Sequence, residues 1–189
     1  LLHAAASGFV FAIGARLYDR RIGFWAALAY ATLPGVSLSA FLISTDAVLL
    51  PCWAAALYAF IRAREKDELR WWVAAGGAVG LGLLAKYAMA YWLLSAFGFV
   101  LLRPSERRHR RGLLIVLAIA VLFYLPNLWW NWSHHFATYL HTRDNAELGG
   151  TLFHPDQLVE FLVSQLGVFG PLYFVALLAL FAAPTRFGG

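Results

Sequence analysis

The sequence predicts an all-α protein, a polytopic bundle of transmembrane helices with about seven spans in its 189 residues. Three observations predict it. Hydrophobic residues make up 61% of the chain and charged residues only 13%, where a soluble domain runs near half and a quarter. The apolar residues come in runs of about 20 between charged clusters, the length that crosses a hydrocarbon core about 30 Å thick. Lysine and arginine recur at alternate run ends, as one basic side of a membrane requires. The eight tryptophans and fifteen phenylalanines are spread along the chain, which suits helices packed in lipid rather than one water-facing core.

The runs fall at roughly 1–18, 22–43, 47–63, 70–86, 88–102, 112–130 and 158–183. The fourth and fifth form one uninterrupted apolar stretch. They are split at Lys86 and Tyr87, because about 33 residues in one straight helix rise about 50 Å and overshoot the bilayer. If all runs span, thirteen of the fifteen basic residues share one side: Arg16, Arg20 and Arg21; Arg62, Arg64, Lys66 and Arg70; Arg103, Arg107, Arg108, Arg110 and Arg111; and Arg186. Lys86 and Arg143 fall opposite, with Asp46, Asp144, Glu147, Asp156 and Glu160. The basic side is then cytoplasmic, and the net charge of +5 reflects orientation and lipid headgroups rather than nucleic acid.

Residues 1–189 read as one transmembrane segment with an outer loop at about 131–157. Leu1 already lies in an apolar run, no methionine starts the chain, and Met89 is the only methionine. A segment of a longer protein is expected, and no basic n-region of a signal peptide precedes the first run. Cys52 has no cysteine to pair with and reads as a small core residue. Gly76, Gly77, Gly80 and Gly82 have the small-xxx-small spacing of close helix packing. Trp129, Trp130 and Trp132 read as an interfacial belt. The Asn131-Trp132-Ser133 sequon lies against the membrane and is discounted.

Two charged residues need a reason. Asp46, after Ser44 and Thr45, reads either as a helix N-cap favoured by the helix dipole or as a site carboxylate facing a water-filled cavity. Lys86 reads equally as a side chain snorkelling to the interface and as the cation for an anionic group such as a lipid-linked phosphate. His134, His135 and His141, with His154 and Asp156, match no zinc spacing.

The pieces ARLYDRRIGFWAAL, STDAVLLPCWAAALYAF, GLGLLAKYA, PNLWWNWSHH, RDNAELGG and GVFGPLYF follow one another in the order and spacing of a known family. The chain resembles bacterial members of glycosyltransferase family 39, which are similar to protein O-mannosyltransferases and the aminoarabinose lipid A transferase. The resemblance implies a GT-C helical domain in the bacterial inner membrane with its active site facing the periplasm. It implies inverting transfer of a sugar from a polyprenyl-phosphate donor to a hydroxyl acceptor, protein or lipid. By that resemblance Asp46 is a supporting carboxylate, the family's main catalytic aspartate falling upstream of residue 1. Lys86 and Arg143 hold the donor phosphate, and His134, His135 and Asp144 contact substrate. The partners implied are the polyprenyl-phosphate sugar and the bilayer, with the acceptor and sugar unidentified and no nucleic acid. No cofactor is required, and a divalent metal is left open. The alternative is a transporter or flippase component, which would show internal repeats and a midplane site.

Overall fold

The structure is a computed structural model and describes residues 1–42, 44–145 and 155–182. Among those residues the regular structure is all helical: α1 (Leu2–Leu17), α2 (Arg20–Thr32), α3 (Pro34–Ser39), α4 (Thr45–Lys66), α5 (Leu69–Ala85), α6 (Ala90–Leu102), α7 (Arg110–Ser133), α8 (Ala137–Asn145) and α9 (Pro155–Ala182). Short 3-10 segments, Tyr87–Met89 and Pro104–His109, precede α6 and α7.

The expectation of about seven spans is met in part. Three helices are long and apolar enough to cross a membrane, Thr45–Lys66, Pro104–Ser133 and Gln157–Ala182. Leu2–Leu17, Leu69–Ala85 and Tyr87–Leu102 are apolar but shorter, rising only about 24–26 Å at 1.5 Å per residue. The second run, expected as one helix over 22–43, breaks where Leu33 turns extended (φ −59°, ψ 129°) before Pro34. Proline disfavours the helical conformation in the residue before it, and hydropathy is blind to that restriction.

The split at Lys86 is present. Lys86 is extended (φ −160°, ψ 135°) and closes α5 with its N–H on the Gly82 carbonyl at 2.9 Å. Met89 lies over Gly82, where a Cβ would sit 2.8 Å from its Sδ, so the bare backbone admits the returning chain.

The core lies where α4, α5, α6 and α7 meet. Phe60 meets Trp72, Trp92 and Phe99 edge-on at 5.9, 5.7 and 6.3 Å, geometry that aromatic quadrupoles favour. Helix α5 lies against α7 through Gly76 and Gly80. A Cβ at these positions would stand 2.7 Å from Ile119 Cβ and 2.5 Å from Phe123 Cβ. The expected small-residue packing is therefore real for three of the four glycines, Gly82 lying under Met89 and against Cys52, whereas a Cβ on Gly77 meets only Phe123 Cζ at 4.0 Å. Helices α1 and α2 cross in the same way at Gly14 and Gly23.

The basic clusters gather at one end, as the charge pattern requires. Arg16 Nη2 reaches Glu65 at 2.7 Å, joining the end of α1 to the end of α4. Arg64 Nε donates to Glu106 at 2.8 Å, joining α4 to the segment between α6 and α7. The α4–α5 turn is made by Asp67 in the left-handed region (φ 52°), and its carboxylate accepts the Trp72 indole N–H at 3.2 Å. Arg186 lies outside the described residues.

Candidate functional site

The site is built at the opposite end, by two antiparallel helices. Asp46 is in the first turn of α4 and Lys86 is the C-terminal cap of α5, so the short turn at Asp67 returns the chain to the same depth. The two side chains meet: Lys86 Nζ donates to Asp46 Oδ1 at 2.8 Å, with side chains 46% and 48% exposed. Ser44, in an extended conformation, takes the N-cap position of α4. Asp46 is thus not the N-cap, and its carboxylate is committed to the lysine. Lys86 does not reach away from the bundle.

An open apolar groove of about 600 Å³ lies between α4 and α5, lined by Thr45, Val48, Cys52, Leu81, Leu84 and Ala85; Thr45 and Ala85 are the chain neighbours of the pair, whose own side chains do not line it. The arrangement is a half-exposed ion pair whose chain neighbours line an apolar groove. It can hold an anionic head with an apolar tail, since the ammonium has three donors and Asp46 takes one.

Three tyrosines beside Lys86 escape the sequence reading. The Tyr87 ring stacks on Tyr139 of α8, centroids 5.3 Å apart and planes 6° apart. Tyr124 of α7 stands edge-on to Tyr87 at 6.2 Å and shares a hydrogen bond with the Tyr139 hydroxyl at 3.0 Å. Tyr87 was visible in the GLGLLAKYA piece as the neighbour of Lys86, but its partner 52 positions away (139 − 87) leaves no local signal.

The loop expected at about 131–157 is partly helical. Helix α7 runs on to Ser133 and α8 fills Ala137–Asn145. Asn131 makes the corner. Its side chain is fully buried, donates to Asn127 O at 3.0 Å and accepts from Thr138 N at 3.2 Å. A buried amide must find such partners, which explains an asparagine within a tryptophan-rich helix end and leaves its sequon inaccessible. The turn runs through two non-glycine residues in the left-handed region, His135 (φ 55°) and Phe136 (φ 59°), each costing about 1–3 kcal/mol.

The other expected site residues stand as follows. His134 stacks on Trp130, centroids 4.2 Å apart, and its Nδ1 lies 2.8 Å from the Trp130 carbonyl oxygen, so its contacts are local. His135 is exposed at the strained turn. Arg143 is exposed on the last turn of α8. The side chain of Asp144 lies outside the described residues, as do His154 and Asp156. Among the described residues no group of three or more His, Cys, Asp or Glu is placed to hold a metal.

Residues 1–130 match the family model described as dolichyl-phosphate-mannose-protein mannosyltransferase. Over 178 residues the chain is 35% identical to the lipid A galacturonosyltransferase RgtD of Rhizobium johnstonii. That match covers 94% of this chain and 38% of the relative, so the chain spans under two fifths of the length of the curated relative it matches. No solved structure matches.

Proposed function

The chain belongs to the dolichyl-phosphate-mannose-protein mannosyltransferase family, and on that premise we propose that the protein is a membrane glycosyltransferase using a polyprenyl-phosphate-linked sugar. The sugar passes to a hydroxyl acceptor on the outer, periplasmic side, with inversion. The observation that carries this reading is the Lys86–Asp46 pair at 2.8 Å, with the apolar groove between α4 and α5 lined by its chain neighbours Thr45 and Ala85.

The chemistry assigns each group a task. The acceptor oxygen attacks the anomeric carbon as the bond to the phosphate oxygen breaks, and the bonding electrons leave with the polyprenyl phosphate. The hydroxyl proton passes to a carboxylate base. Charge grows on the departing phosphate, and a fixed cation there lowers the barrier. Lys86 is that cation, and Asp46 is the supporting carboxylate that aims it. Asp46 and a phosphate together overbalance one ammonium, so we assign Arg143 as a second cation. His134, His135 and Asp144 are proposed to contact sugar or acceptor.

We also take residues 1–189 as one transmembrane domain segment of GT-C type with about seven crossings. The shorter helices would cross a locally thinned bilayer. The relative's name makes a galacturonosyl donor and a lipid A acceptor the first pair to assay. Full-length protein in vesicles is given polyprenyl-phosphate galacturonic acid and lipid A, and the product is weighed by mass spectrometry. A mass increase of one galacturonosyl residue on lipid A supports the pair. Transfer of no sugar to any hydroxyl acceptor, across a panel of polyprenyl-phosphate donors, rejects the function.

A further inference from the structure

Away from the Asp46–Lys86 pair, an open groove of about 460 Å³ runs between Leu17 at the end of α1, helix α4 and helix α6, toward the basic end. Its walls are apolar and aromatic, including Trp53, Leu57, Trp92 and Phe99. The one wall hydroxyl, Ser95, donates to the Tyr91 carbonyl of its own helix at 2.8 Å. The walls therefore offer an incoming group contact area and few free polar atoms.

Charge stands against Phe99 of the wall, from Arg64, which lines the groove, and from Arg103, which does not. Two guanidinium groups lie over the Phe99 ring, Arg64 at 4.7 Å and Arg103 at 4.8 Å from its centroid. Arg64 is neutralised by Glu106. Arg103 is exposed, and among the described residues it has no carboxylate partner. A cation held by a ring at the edge of a hydrocarbon-lined groove, at the basic end of the bundle, is complementary to a negatively charged head on an apolar chain.

We propose that this groove binds an anionic phospholipid of the leaflet at the basic end, with an acyl chain between α4 and α6 and the lipid phosphate against Arg103. A zwitterionic lipid would offer the same chain without the net charge, so Arg103 supplies selectivity and the groove supplies the chain contact. The site is separate from the proposed donor site and does not depend on the transfer reaction.

The test is thermal unfolding of the full-length protein in dodecyl maltoside. It is titrated with phosphatidylglycerol, with phosphatidylcholine, and with inorganic phosphate alone. Phosphatidylglycerol should raise the unfolding temperature at about one fifth of the mole fraction that phosphatidylcholine needs, the discrimination one cation gives. Arg103→Gln should abolish that difference, whereas Arg111→Gln, an exposed cation outside the groove, should keep it. Ser95→Trp, which fills the groove, should remove the response to both lipids. An undiminished preference in Arg103→Gln overturns the proposal, and so does an equal shift with inorganic phosphate, which would mark a free-anion site. If Ser95→Trp does not fold, the Arg103 comparison decides alone.

Discussion

Tyr139 lies flat against Tyr87, with 5.3 Å between centroids and 6° between planes, so α8 is clamped to the residue that follows Lys86. Arg143 lies on the last turn of that same helix. An aromatic pair is worth about 0.5–1.5 kcal/mol beyond its buried area, enough to change how often a nine-residue helix opens. Tyr139→Ala should raise amide exchange over residues 137–145 by about threefold to tenfold. Tyr139→Phe keeps the stack, loses only the hydroxyl bond to Tyr124, and should stay near wild type. Unchanged exchange in Tyr139→Ala would show that α8 is held by something else.

Glycines of α5 separate by which neighbour they face. Gly80→Ala drives a methyl to 2.5 Å from Phe123 Cβ and should cost about 1–3 kcal/mol of overpacking. Gly77→Ala meets nothing nearer than 4.0 Å and should be neutral, or stabilising by up to about 1 kcal/mol as helix interiors prefer alanine. Unfolding curves in detergent for the two variants check the order, and a Gly77→Ala variant less stable than Gly80→Ala contradicts the α5–α7 packing.

The turn at His135 offers a separation of strain from substrate contact. His135→Gly relieves a left-handed conformation and should hold or raise stability by about 1 kcal/mol. Transfer by the same variant should fall if the imidazole touches sugar or acceptor. Full activity together with raised stability would leave His135 a structural residue only.

Orientation is checked with single cysteines in a Cys52→Ser background and an impermeant maleimide on intact cells. Asn145→Cys should label and Lys66→Cys should not. The reverse pattern would invert the bundle.

Much of this was legible in the sequence, for a physical reason. Apolar runs and charge clusters report which parts of a chain lipid accepts, and so they locate α4, α5, α6 and α7 and gather the arginines at one end. Asp46 and Lys86 come together because a short turn joins two antiparallel helices, a relation that spacing alone specifies. The break at Pro34 was missed because hydropathy averages over a backbone restriction that one residue imposes. Helix α8 was missed because its polar composition reads as loop, while Asn131 of α7 holds its Thr138 N–H and Tyr139 holds it to Tyr87. Roles for Arg143 and the histidines came from resemblance, and local composition carries no trace of which neighbours they face.

The central claim is that Lys86 carries charge for a donor phosphate, and the magnitudes distinguish it from a structural ion pair. A half-exposed pair contributes at most about 1 kcal/mol to stability, whereas removing a cation that stabilises charge in the transition state costs on the order of 100-fold or more in rate. The deciding measurement is kcat/KM for the polyprenyl-phosphate sugar in full-length Lys86→Gln, beside Arg111→Gln and with unfolding temperatures for both. Lys86→Gln should lose about 100-fold or more in kcat/KM with an unfolding temperature close to wild type, and Arg111→Gln should lose little of either. A Lys86→Gln enzyme that turns over the donor at the wild-type kcat/KM would contradict the account.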